Sequence, residues 1–270
     1  MPSGHPDHPV PATPRRLPAV QRQDAIAEIV LTAGSATAQD LAQQFRVSVM
    51  TVHRDLDELE HRGVLRKSRG MATAQPSGVF ESSVTYRLKA NLPLKKVVAR
   101  QALTHVEPGM SLLLDDSTTT LQMVPYLSER APLRVATNFL EATRALTAMR
   151  GVRLMTLGGD YDSRHDAFLG VMCLQAIESI RVDATFISTS AMAGAYAYHQ
   201  EERVVTFKRA MLEVASQRFL LMDHTKLGKV ALHRLVPLSE FDAVIIDSGA
   251  PPALLEALRQ NAVKVEVANL

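Results

Sequence analysis

Between residue 92 and the C-terminus, short apolar runs alternate with helical stretches, and this alternation constrains the fold more than any other feature of the chain. "MSLLLDD", "LRVATN", "VRLMTLGG", "DATFISTSA", "RFLLMD" and "AVIIDS" read as strands, and "VKVEVA" closes the chain. "LKKVVARQALTHV", "FLEATRALTAMRG", "TFKRAMLEVASQ" and "PALLEALRQN" read as helices, and "TTTLQMVPYLSER" as a helix that Pro125 kinks or breaks. A strand that is apolar on both faces must be covered on both faces, and parallel neighbours need a crossover long enough to hold a helix. Residues 92 to 270 are therefore expected to form an α/β domain, a mostly parallel sheet between helices. No internal repeat of fixed period interrupts the pattern.

The preceding residues have a different texture. "AVQRQDAIAEIVLTAG" places Val20, Ile26, Ile29 and Val30 near one helical face, with Gly34 behind it. In "TAQDLAQQF", Thr37 is a suitable N-cap and Leu41, Ala42 and Phe45 turn inward. Ser48 can cap the next helix, whose Val52, Leu56 and Leu59 fall at i, i+4 and i+7 before Gly63 stops it. "VLRKSRGMATA" suits a strand, a turn and a return strand. Residues 19 to 73 thus read as three helices and a two-stranded wing, and residues 74 to 91, rich in turn formers, as a linker. Residues 1 to 18 hold six prolines and no apolar h-region, so they read as a disordered tail and not a secretory signal.

A helix, a tight turn and a second helix can set that second helix in a DNA major groove, where base edges distinguish all four base pairs. Ser48, Met50, Thr51, His53 and Arg54 lie near its start and away from the apolar stripe. Thr51 and His53 can reach bases or phosphates, and Arg54 guanine or phosphate. Arg66, Lys67 and Arg69 on the wing would meet the backbone, which supplies affinity and not sequence choice. Asp55, Asp57, Glu58 and Glu60 would repel phosphate, but lie mostly in the helix's later part. A net charge of +2 over 270 residues makes any nucleic-acid site a local patch. Cys173 is the only cysteine, which excludes an intramolecular disulfide and a thiolate metal site and suits a reducing cytoplasm. No run of about 18 apolar residues exists, so no membrane-spanning helix is expected. No metal or cofactor is expected.

In the larger domain, "LLLDDSTTTLQ" is a strand, a polar loop and a helix start. Ser117, Thr118 and Thr119 offer hydroxyls and N–H groups there, which suits an anion and equally an ordinary cap. Ligands of parallel sheets collect beyond the carboxyl ends of strands. Those ends carry Asp115 and Asp116, Thr137 and Asn138, Gly158 and Gly159, and Asp223, with Lys226 just beyond. A lysine would neutralise a phosphate and an aspartate would accept from sugar hydroxyls. Lys208 and Arg209 read first as solvated helix charges, with Lys208 kept as a candidate ligand contact.

These residues also carry a family resemblance. "AQDLAQQFRVSVMTVHRDLDELEHRGVLRKSRGMA" resembles the winged helix of the DeoR family of bacterial transcription regulators, with His53 where that family has arginine. "LLLDDSTTTL", "ATN", "LGGD", "FLG", "FKRAM" and "LLMDHTKLG" are similar, in order, to elements of that family's C-terminal sensor, with Ser117 where glycine is usual. The resemblance implies a sensor with a sugar-phosphate-isomerase-like fold, a phosphorylated sugar as effector, double-stranded operator DNA as partner and a homo-oligomer of at least two chains. It makes the chain a regulator, most often a repressor. The rival is an isomerase-like enzyme with Asp115, Asp116, Asp223 and Lys226 as acid and base. Against it, no glutamate or histidine falls beside these groups in a catalytic pattern, and an enzyme has no use for residues 19 to 73.

Overall fold

The computed structural model describes residues 17 to 61, 64 to 74 and 84 to 269, in two compact units that divide between residues 74 and 75. The proline-rich tail but for its last two residues, the stop at Gly63 and residues 75 to 83 of the expected linker lie outside the described residues.

In the first unit, helix α1 (Ala19–Ala33) is followed by β1 (Ser35–Thr37), α2 (Ala38–Phe45), α3 (Val49–His61), β2 (Leu65–Ser68) and β3 (Met71–Ala74). Helix α1 buries Ile26, Ala27 and Val30, but Val20 is 63% exposed because the buried stripe starts at Arg22 and runs through positions 26 and 30. The Thr37 hydroxyl caps α2 by accepting from Asp40 N at 3.1 Å, and Ser48 Oγ caps α3 by accepting from Thr51 N at 3.1 Å. The wing has three strands in the order β1-β3-β2, one more than expected. "SAT" is too short to show an alternation, and only pairing with Met71, Ala72 and Thr73 makes it a strand. The hairpin closes through Arg69 at φ 48° and Gly70 at φ 79°, two successive left-handed residues as a type I′ turn requires.

The second unit begins with α4 (Val84–Lys89), α5 (Leu92–Ala102), β4 (Ser111–Leu114), β5 (Leu133–Thr137), α6 (Leu140–Thr147) and β6 (Val152–Thr156). The hairpin of β7 (Asp160–Asp162) and β8 (Ala167–Leu169) follows, then α7 (Val171–Glu178), β9 (Val182–Ile187), β10 (Ala191–Ala193), β11 (Tyr196–His199) and α8 (Glu202–Glu213). The chain ends with β12 (Ala215–Met222), β13 (His233–Pro237), β14 (Ala243–Asp247), α9 (Pro252–Gln260) and β15 (Val265–Ala268). The expected parallel sheet is present, seven strands in the order β15-β14-β12-β9-β4-β5-β6 with every pairing parallel.

Alternate residues serve two cores. Leu112, Leu114, Val135, Phe186, Phe219 and Ile245 pack with α5 and α6 on one face. Leu113, Ala136, Leu220, Val244 and Ile246 pack with α7, α8 and α9 on the other. Two expectations change. Residues 120 to 130 wind as a 3-10 helix and not an α-helix, with Pro125 inside. Residues 84 to 89 form α4 within the expected linker, with Val84 buried and its N–H on the Arg164 carbonyl, so this part of the linker belongs to the second unit.

Candidate functional site

On the first unit, α3 presents Met50, 66% exposed, and an exposed Arg54, while Thr51 and His53 are half-buried. The Ser48 and Thr51 hydroxyls lie 2.8 Å apart, so the helix start is held by its own side chains. Arg54, Arg66 and Arg69 are exposed and make no ion pair among the described residues. Lys67 departs from the expectation of a phosphate contact. Its ammonium is paired with Asp57 and its N–H donates to Glu60 at 2.8 Å, so it ties the wing to α3. Asp55 is no repulsive surface charge either. It is buried and takes both ends of the Arg22 guanidinium, at 2.6 and 3.1 Å, with Gln23 donating at 3.1 Å. Its place in the stripe with Val52, Leu56 and Leu59 was the available signal.

On the second unit, strand order reverses between β4 and β9, so the crevice beyond their carboxyl ends is the topological switch point. Asp115 bridges it. Oδ1 accepts from Ser117 N at 3.1 Å and Thr120 Oγ1 at 2.7 Å, and Oδ2 accepts from Ser188 N at 2.9 Å and from the Lys208 ammonium. Lys208, 2% exposed, also donates to Asp116 Oδ1 at 3.1 Å. It is a buried counter-ion and not the solvated charge first read, because it shares a face of α8 with Val204 and Met211. Arg209 is bonded too, to the carbonyls of Leu235 and Arg234 at 2.9 and 2.8 Å. Asp115 and Lys208 are thus engaged in shaping the loop.

A histidine and a glutamate do stand beside the aspartates, though not in a catalytic pattern. His165 Nδ1 lies 3.3 Å from Asp116 Oδ2, and its Nε2 lies 3.1 Å from Glu201 Oε2. Burial disfavours the imidazolium, but these two carboxylates outweigh it and push the His165 pKa up to about 9. Burial likewise opposes the charge of Asp116, yet Lys208 and then His165 hold its carboxyl well below the usual carboxylate range. Burial disfavours the Lys208 ammonium too, but Asp115, followed by Asp116, outweighs it and keeps Lys208 above an ordinary lysine. His165 is fully buried and faces a carboxylate at each nitrogen, which is a structural position and not that of an acid or base open to substrate.

Around this frame the other predicted residues come together at the strand ends. The Thr118 hydroxyl accepts from Lys95 at 2.9 Å, and Ser117 Oγ lies 2.8 Å from Thr120 Oγ1. Thr137 Oγ1 accepts from Phe139 N at 3.1 Å, and Asn138 Nδ2 donates to the Phe168 carbonyl at 3.0 Å. Lys226 Nζ donates to Ser188 Oγ at 3.1 Å and lies 3.9 Å from Asp223 Oδ2. Three buried oxygens here have no hydrogen-bond partner among the described residues: Thr119 Oγ1, Asn138 Oδ1 and Asp223 Oδ2. Gly158 has open space where a side chain would sit. Gly159, at φ 156°, would bring a Cβ to 2.5 Å from the Leu169 carbonyl, so close backbone approach already accounts for it. Sequence reasoning missed Arg87, Asn91, Lys95, Thr120, His165, Ser188 and Glu201. For Lys95 a signal existed, since it lies in the buried stripe of Val98, Ala99 and Ala102. Among the described residues no group of three or more His, Cys, Asp or Glu could hold a metal, and no helix is long and apolar enough to cross a membrane.

Comparison with known proteins gives a concordant result. Residues 90–248 match the sequence model of the DeoR C terminal sensor domain, and residues 22–77 that of the DeoR-like helix-turn-helix domain. The helix-turn-helix type transcriptional regulator YgbI of Escherichia coli K12 is 30% identical over 88% of this chain and 94% of its own. The glycerol-3-phosphate regulon repressor of the same organism is 27% identical over 92% of this chain and 98% of its own. A solved ribose 5-phosphate isomerase A from Methanocaldococcus jannaschii aligns with 51% of this chain and 55% of its own, at 19% identity and a TM-score of 0.38.

Proposed function

This chain belongs to the DeoR family of DNA-binding transcription regulators, and from that premise we propose that it is a repressor of genes for sugar or related carbon metabolism, released from its operator by a phosphorylated sugar. Helix α3 enters the major groove with Met50, His53 and Arg54 towards the bases, and Arg66 and Arg69 hold adjacent phosphates. The chain acts as at least a dimer, because one winged helix covers little DNA and two half-sites need two copies.

The observation that carries the effector half is the trio of buried oxygens without a hydrogen bond at the strand ends, Thr119 Oγ1, Asn138 Oδ1 and Asp223 Oδ2, the last with only the Lys226 ammonium at 3.9 Å. Buried polar atoms are almost always satisfied, and a polyhydroxylated ligand supplies donors for all three. The Ser117–Thr119 loop receives the phosphate, with Lys226 beside it. A relative bearing the name of a glycerol-3-phosphate regulon repressor supports the chemical class.

The test is binding of the full chain to its own upstream DNA and to scrambled DNA, by fluorescence anisotropy at two salt concentrations. Selective binding that millimolar sugar phosphate weakens is expected. Arg54→Ala should weaken selective binding by about 1–3 kcal/mol. Equal affinity for both DNAs refutes the reading.

A further inference from the structure

Arg87, Asn91 and Lys95 stand four residues apart in the first segment described after residues 75 to 83, the stretch that leads here from the first unit. All three reach the strand-end site. Lys95 Nζ donates to Thr118 Oγ1 at 2.9 Å and also to the Arg87 carbonyl, which ties α4 to α5. Asn91 Nδ2 donates to Thr225 Oγ1 at 2.9 Å and to Asp223 Oδ1 at 3.3 Å. The Arg87 guanidinium favours the ionised form of Asp116 and opposes the charge of His165, 3.4 Å away, while the hairpin itself is held by Val84 N, which donates to the Arg164 carbonyl at 2.9 Å. One short segment therefore grips the loop after β4, the end of β12 and the β7–β8 hairpin.

The grip shares groups with the atoms left for a ligand. Asp223 gives Oδ1 to Asn91, while its Oδ2 is one of the buried oxygens without a hydrogen bond. Thr118 gives its hydroxyl to Lys95, while the hydroxyl of the next residue, Thr119, is another. A ligand that satisfies Asp223 Oδ2 and Thr119 Oγ1 acts on the same carboxylate and the same loop that hold the segment. Asn91 is moreover in the left-handed region at φ 55°, which an asparagine tolerates but does not prefer, so its side-chain bonds fix a disfavoured backbone.

We propose that Arg87, Asn91 and Lys95 are positioning residues that report the occupancy of the effector site to the DNA-binding unit. With the site free, the clasp is closed and the segment is held in the arrangement that lets the first unit bind operator. Effector binding draws Asp223 and the Thr118–Thr119 loop away from Asn91 and Lys95, α4 is released, and operator affinity falls. The inference rests on the reading of the chain as an effector-controlled repressor. It requires the ligand to favour the open clasp over the closed one, since only differential binding moves such an equilibrium.

Opening the clasp by mutation should imitate the ligand. Asn91→Gly removes the side-chain bonds and keeps the left-handed backbone accessible. Thr118→Val removes the acceptor of Lys95 at nearly constant shape. The full-length variants are measured without ligand for operator affinity, for hydrogen exchange in residues 84 to 95, and for thermal stability as a control of folding. Each folded variant should bind operator about 5-fold or more weakly than the parent, with faster exchange in residues 84 to 95. The remaining release by glycerol 3-phosphate or glucose 6-phosphate, whichever acts on the parent, should shrink. Unchanged or tighter operator binding by both folded variants overturns the proposal, whether or not either probe acts on the parent. If the parent itself does not bind its upstream DNA selectively, the repressor reading fails first, and the two failures are distinct.

Discussion

Replacing Lys208 by Met tests the buried ionic frame under the strand ends. Lys208 is the cation shared by Asp115 and Asp116, at 2%, 0% and 2% exposure. Methionine fills a similar volume, so the loss is electrostatic. Removing one partner of a buried ionic cluster costs about 3–5 kcal/mol, because the remaining charge is uncompensated. Asp116 keeps His165, and Asp115 keeps the donors Ser117 N, Thr120 Oγ1 and Ser188 N, which puts the expected cost near the lower end, about 3 kcal/mol. For a unit of this size, that lowers Tm by about 6–12 °C. The assay is built into the chain. It has no Trp, and its five tyrosines all lie beyond residue 85, so tyrosine fluorescence follows the second unit alone. A drop below about 1 kcal/mol would refute the reasoning.

The His165 imidazolium gives a pH dependence with a definite sign. Its folded pKa of about 9 lies above its ordinary value of 6.5, so its stabilisation is complete below about pH 6.5 and is lost as pH rises through about 9. The Tm of the tyrosine-reported transition should therefore fall from pH 7 to pH 10 more steeply in the parent than in His165→Gln, and equal slopes would remove His165 as the cause. In the first unit, Arg22→Met leaves Asp55 buried with Gln23 alone and should cost about 3–5 kcal/mol, most of the stability of so small a unit. Selective DNA binding would then be lost while the tyrosine transition stays in place, and full operator affinity in that variant would show the ion pair to be dispensable.

Much of this was legible because it depends on local pattern. Ser48 and Thr37 are caps by residue type and position, and the apolar runs "SLLL" and "AVIID" are buried strands since nothing else suits so short and continuous a pattern. The hairpin of β7 and β8 and the strands β10, β11 and β13 were not foreseen, because none of them carries a continuous apolar run of four residues and they stand out only through pairing. Charge was the commonest source of error. Lys208, Asp55 and Lys67 each read as surface charges, and each found an ionic partner from a separate element. For Lys208 and Asp55 the place in an apolar stripe was visible; the partner 93 or 33 residues away was not.

The order of elements, their periodicity and their caps, and with them the winged helix and the covered parallel sheet, belong to the sequence alone, because each rests on interactions a few residues long. The strand order does not, and it decides the site. Only when β9 returns to the far side of β4 does Ser188 N meet Asp115, and only then do Lys208 and His165 neutralise the two carboxylates. The same chain path brings Asn91 and Lys95 onto Asp223, Thr225 and Thr118. Those contacts join residues far apart in the chain, and their geometry exists only once the hydrophobic faces of the sheet have been buried on both sides.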